Sequence, residues 1–358
     1  MRFTPMRLVP VLACLALLLT ALPVRAAPDV DHRAIARAAL DGFILPAYAD
    51  LEATSEVLDT ALNAYCENGT DPRPAYQDMM DAWQKVQAIR VGPILDDNRF
   101  ARIQFWPDAR NLTARHLREL LSEKDRDRLS ADRFAETSIA VQGLWALERL
   151  FFDEEFQEAT ASHDDYYCAY LRAVGGNLVT ITSNVLAAWE NADSPIRQAW
   201  DAPSEDNPMF HTPVEVTQSV AGIVTDGVQA VVLLKLDKPM GKSVDRPRPR
   251  LAENWRSQRS LRNIRLNLAA ARSLYEVTLR PAVLEYPDGD ELDESIAAGF
   301  ASAAQLTDDL GRELDVSPDH YSRLQLLRTQ LEFLHKTLAG PMSGVLGLGV
   351  SFNALDGD

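Results

Sequence analysis

The stretch Gln142-Gly143-Leu144-Trp145-Ala146-Leu147-Glu148-Arg149 carries the most suggestive chemistry in the chain. Trp145 and Glu148 stand three apart, so on a helix they share a face, and Gly143 leaves room for another backbone to come close. A carboxylate on so apolar a helix needs hydrogen bonds or a cation, because an isolated charge is costly to take out of water. Arg149 is next in sequence but points in another direction on a helix, so the partner should come from elsewhere, and Arg90 is one candidate. Such a glutamate either satisfies a helix seam or recognises a ligand.

A second group lies in Phe105-Trp106-Pro107-Asp108. Pro107 breaks a helix, so Trp106 and Asp108 either line a bend open to a ligand, or seal the bundle end with Asp108 capping the next helix. His116 and Glu119 form an HxxE pair one helical turn apart, and with Glu148 they make the alternative metal set for iron or zinc. His32, His163, His211 and His335 stand singly, and Asp319-His320 sits where a helix should start. There is no HExxH zinc motif and no GxSxG nucleophile elbow.

The elements that must position these residues are helical. Apolar residues recur at helical spacing over 31–65, with Pro46 expected to kink the run, and again over 74–92, 109–121, 131–152, 162–189, 212–236, 257–279, 292–314 and 318–338. Thr212-Pro213-Val214-Glu215 reads as a capping box with Pro at the first helical position, and Ser317 as a cap before Pro318. No strand alternation, dinucleotide fingerprint or phosphate loop competes. The fold class expected is all-α: two helical bundles with a cleft between them. A bundle over 27–190 and another over 212–358, ending in a coiled tail, are joined by the proline- and aspartate-bearing connector 191–211.

The 358 residues carry 36 Lys+Arg against 52 Asp+Glu, a formal charge of −16, which argues against nucleic acid as a partner. Arg246, Arg248 and Arg250 make a small basic island that reads as a solvated loop. Arg2 and Arg7 precede an apolar run ending at Val24-Arg25-Ala26-Ala27, a secretory signal over 1–26 cut after Ala26. A lipoprotein cut before Cys14 would instead leave an apolar start to the mature chain. The apolar run over 212–236 contains Thr225, Asp226 and Gln229, which argues against a membrane span. Export places the chain in the periplasm, where Cys66 and Cys168 are expected to form a disulfide, the alternative being two buried thiols.

Taken together, the chain resembles the imelysin-like family of exported bacterial proteins. The resemblance rests on Val91-Gly92-Pro93, Phe105-Trp106-Pro107-Asp108, Cys168-Ala169-Tyr170-Leu171, Lys238-Pro239-Met240-Gly241 and the ending Phe352-Asn353-Ala354-Leu355-Asp356-Gly357-Asp358, and covers nearly the whole mature chain. It implies two facing helical bundles, a site near Gly143 and Glu148, and a link to iron-responsive uptake; members are sometimes classed as metallopeptidases. The family signature is GxHxxE, whereas this chain reads GxWxxE, with Trp145 where the histidine would stand. Indole offers no ordinary lone pair to a metal.

The function expected is therefore a non-catalytic periplasmic binding or accessory protein linked to iron uptake, with no cofactor. Its expected partner is a small ligand or a protein of the uptake system. Arg90, Trp106, Asp108, Gly143, Trp145 and Glu148 would line its cleft. Two alternatives remain: a divergent metal-dependent peptidase using His116, Glu119 and Glu148 or carboxylates of the tail, and a structural scaffold.

Overall fold

A computed structural model of the chain describes residues 29–162 and 164–349. The expected signal segment with Cys14, His163 and the part of the expected coiled tail from 350 onward lie outside the described residues. Among those described there are helices and turns and no strand.

Helix α1 (His32–Ala39) begins where the Asp31 side chain accepts the Ala34 N–H, and α2 (Leu45–Asn68) ends at Gly69 with φ +78°. The kink expected at Pro46 is a widened turn over Leu40–Ile44, in which the Leu45 N–H reaches the carbonyl five residues back. Proline lacks the N–H for the residue four before it and its ring crowds that carbonyl, so a wider turn relieves both. The same solution recurs at Val231–Leu236 before Pro239, at Tyr275–Leu279 before Pro281, and at Leu338–Met342 around Pro341.

After α2 the chain forms α3 (Arg73–Val86) and α4 (Leu112–Glu123), then α5 (Leu144–Phe152), α6 (Asp165–Glu190) and α7 (Pro195–Asp201). The second half contributes α8 (Pro213–Ala230), α9 (Ser260–Leu274), α10 (Gly289–Asp309) and α11 (Pro318–Thr337), with short helical turns between. Thr212 caps α8 through the Glu215 N–H, and the Glu215 carboxylate accepts the His211 N–H.

One expected helix is not continuous. The helix expected over 131–152 is broken: a turn at Ala131–Phe134 and another at Ile139–Val141, capped by Ser138, precede α5. The cause is Gly143, where a Cβ would lie 2.2 Å from the Arg102 carbonyl oxygen and 2.3 Å from that of Ile103, so the backbone is extended there to admit the neighbouring chain. The connector over 191–211 contains α7, with Ile196, Ala199 and Trp200 buried and the Trp200 indole N–H donating to the Ala36 carbonyl.

Antiparallel α2 and α6 pack closely at three levels. Cys66 is disulfide-bonded to Cys168, Gly175 accommodates Asp59, and the Ser55 and Thr182 hydroxyls are hydrogen-bonded at 2.8 Å. The positions 168, 175 and 182 are seven apart, the spacing that returns a helix to one face. Between halves, α1 packs on α8 and α3 on α9, and one continuous apolar core runs through both sets of helices. The segment Pro213–Met240 has the length and apolarity of a membrane span, yet Val216, Val220, Val224 and Val228 are buried within the bundle.

Candidate functional site

Helix α5 holds Glu148 at 0% exposure. Its Oε1 accepts the Ser257 backbone N–H at 3.1 Å and the Ser257 hydroxyl at 2.7 Å, so the partner is the loop that leads into α9. The Arg90 partnership is thereby corrected: the Arg90 guanidinium lies 3.2 Å from the Phe100 ring centroid, and the cation acting on Glu148 is Arg256. Burial raises the Glu148 pKa, opposed by the Ser257 hydrogen bonds and by Arg256. Its Oε2 and the buried Trp145 indole N–H have no hydrogen-bond partner among the described residues.

The polar contacts continue along the seam between the halves. Asn254, at φ +51°, donates to the Tyr76 hydroxyl and accepts from Gln104 and Asn263, while the Trp83 indole N–H donates to Gln104. Asn263 also donates to Glu253, and Glu253 accepts from buried Lys235 at 2.6 Å. Lys235 donates further to Gln84 and Gln87 at 2.7 Å each, which uses all three of its N–H groups. Burial lowers the Lys235 pKa, with the Glu253 charge opposing, and the hydrogen-bonded cation holds Glu253 below the usual carboxylate range despite its burial. Sequence reading missed this pair, although a lysine inside the apolar run Val231-Val232-Leu233-Leu234-Lys235-Leu236 was a visible signal.

The other residues singled out from the sequence act as supports. Gly143 admits the 102–103 backbone, as above. Asp108 accepts the N–H groups of Leu112 and Thr113 at 2.7 and 2.9 Å, which makes it the cap of α4, and Trp106 lies with its ring 5.9 Å from the Lys235 ammonium. Arg149 is engaged by Asp153 and Asn111, and Arg256 joins the same Asp153. His116 bonds the Ser138 hydroxyl through Nδ1 at 2.7 Å and Glu119 is exposed.

The structure does not bring His116, Glu119 and Glu148 together: among the described residues no three His, Cys, Asp or Glu side chains are placed to hold a metal. Among the described residues, the groups acting on Glu148 are the Ser257 hydroxyl, the Asn254 amide, the Tyr76 phenol and the Arg256 guanidinium, which either donate protons or are weak donors of electron pairs. This set does not fit a metal.

The seam does border open space. Ser257, which holds Glu148, lines a cavity of about 670 Å³ together with Gln77, Arg259, Arg262, Arg265 and Arg312. Its arginines are largely neutralised: Arg259 and Arg262 share Asp81, and Arg265 pairs with Asp308 at 2.8 Å.

The Imelysin family model matches residues 44–338. Among solved structures, an imelysin-like protein from Psychrobacter arcticum 273-4 is 17% identical, with a TM-score of 0.71 over 92% of this chain and 100% of that one. A candidate iron-regulated protein A precursor from Parabacteroides distasonis ATCC 8503 is 15% identical, with a TM-score of 0.73 over 90% of this chain and 95% of that one. No curated protein matches the chain.

Proposed function

This chain belongs to the imelysin family, and on that basis we propose that it is a non-catalytic periplasmic binding or accessory protein working in iron uptake. The observation that carries the reading is Ser257, whose backbone and hydroxyl clasp buried Glu148 on one side while it lines the cavity on the other. Glu148 thus shapes a binding wall from behind. The cavity also favours binding over a scaffold alone.

Trp145 contributes to the same end. Where the family signature has histidine, a large apolar ring fills the space beside Glu148 and leaves a donor, so the motif packs where it would otherwise ligate. A metal-assisted peptidase needs a ligand set with an open position and a water to activate, and among the described residues no second carboxylate or imidazole joins Glu148 in such a set. Export is supported by the Arg2–Ala27 segment and by the Cys66–Cys168 disulfide, a bond typical of oxidising compartments. The iron connection rests on the family and on the likeness to the iron-regulated Parabacteroides distasonis protein.

The test combines chelation, titration and genetics. Chelated protein titrated with Fe²⁺ and Zn²⁺ is expected to take up no stoichiometric ion and to hydrolyse no unfolded protein substrate. A strain lacking it is expected to grow poorly only when iron is scarce, with wild type restoring growth. Stoichiometric metal that disappears in Glu148→Ala, or hydrolysis dependent on it, would overturn the reading.

A further inference from the structure

A groove of about 720 Å³ lies away from the seam, on the outer side of α6, with Arg102, Arg126 and Arg172 among its polar lining and Leu129, Phe134 and Ala173 among its apolar lining. Its charge balance is unusual for so acidic a chain. Three guanidiniums line it and Asp132 is the one acid, a balance of +2, in a protein whose net charge is −16.

Arg102 is held by neutral groups, with the Asp97 carboxylate acting on it only from beyond ion-pair distance. Its Nε donates to the Gln142 side-chain oxygen at 2.7 Å and its Nη2 to that of Asn177 at 2.6 Å, both neutral acceptors. Those amides are themselves fixed: Gln142, at 0% exposure, donates to the Thr137 carbonyl at 2.7 Å, and Asn177 donates to the Gln142 carbonyl at 3.3 Å. Among the described residues no carboxylate lies within ion-pair distance of Arg102 or Arg172, and Arg172 donates to the Asn63 amide oxygen. Among the described residues Arg126 has one ion-pair partner, Asp165, at 3.9 Å. The cavity beside Ser257 differs, because three of its four arginines, Arg259, Arg262 and Arg265, are already occupied by Asp81 and Asp308.

A partly desolvated guanidinium fixed by neutral amides keeps donors free for an anion, and the fork geometry matches a carboxylate. The apolar wall is suited to a hydrocarbon body. The geometry points to a binding site for a small organic carboxylate with an apolar body, its carboxylate received by Arg102, Arg126 and Arg172 and its body laid along Leu129, Phe134 and Ala173. Gly143 and Gln142 give the site its rigidity, since the first admits the 102–103 backbone and the second aims the guanidinium. None of the residues lining this groove lines the cavity beside Ser257.

The probe is octanoate, titrated into the purified protein by calorimetry and NMR, with octanol as the uncharged control. Saturable one-to-one binding is expected below about 10 mM, weakened at least about tenfold in Arg102→Met and in the doubly exposed variant Arg126→Glu/Arg172→Glu, and unchanged in Glu148→Gln. Should Arg102→Met fail to fold by circular dichroism, the double variant decides, because both of its sites are exposed. Failure of octanoate to saturate, octanol binding as tightly as octanoate, or a double variant binding like wild type would overturn the proposal.

Discussion

Glu148 is a carboxylate that folding makes harder to ionise, and this sets a measurable pH dependence. Its folded pKa is raised above the ordinary value of 4.5 by burial, so its contribution is fully present below that pH and is lost as pH rises through the folded value. Glu148→Gln keeps an acceptor for Ser257 and cannot ionise. The variant is expected to match wild type near pH 4 and to melt at higher temperature at pH 8, as read from thermal unfolding across that range; a difference that does not grow with pH would contradict the assignment. Asp153 runs the other way. Burial alone would raise its pKa, but the Arg149 and Arg256 hydrogen bonds hold it down, so its contribution is lost on acidification. At this scale the sequence showed Glu148 as a buried carboxylate in need of a partner but not which one, because Ser257 is 109 residues away and nothing in its own neighbourhood marks it.

At the scale of elements, Gly143 and Lys235 decide how helices meet. A Cβ at Gly143 would stand 2.2 and 2.3 Å from two backbone oxygens, which have no rotamer to escape into. Gly143→Ala is expected to destabilise by about 3 kcal/mol in urea unfolding, at the upper end for overpacking, and an unchanged midpoint would show that the 102–103 stretch of chain can retreat. Lys235 and Glu253 are buried together at the α3–α9 seam. Removing one partner leaves a bare buried charge, so Glu253→Ala should cost about 3–5 kcal/mol, whereas Lys235→Met with Glu253→Leu should cost much less. Equal losses in the single and double variants would contradict this account. Helical periodicity made most elements legible. It failed over 131–152, where a steric demand from a distant backbone overrides it, and it did not foresee the widened turns, although Pro46, Pro239, Pro281 and Pro341 mark all of them.

For the whole molecule, the disulfide and the shared core bind regions far apart in sequence. Cys66–Cys168 closes a separation of 102 residues, and restricting so long a loop in the unfolded chain contributes about 4.7 kcal/mol in the chain-entropy account. Reduction is expected to lower the urea midpoint by a corresponding amount while leaving helical content intact at low denaturant; a midpoint unmoved by reduction would contradict it. The all-α class was readable because the pattern repeats over hundreds of residues. The cavity beside Ser257 was not, since it is made by Gln77 on α3 and by arginines of α9 and of the turn after α10, which no local pattern connects.

Glu148 is proposed to shape a binding wall through Ser257 without ligating a metal. The most direct test is anomalous scattering from crystals of the natively purified protein, soaked in Fe²⁺ and in Zn²⁺. No anomalous peak is expected within coordination distance of Glu148, and the Glu148–Ser257 contact is expected to be intact. A well-occupied peak on the Glu148 carboxylate, with any side chain completing its shell, would contradict it.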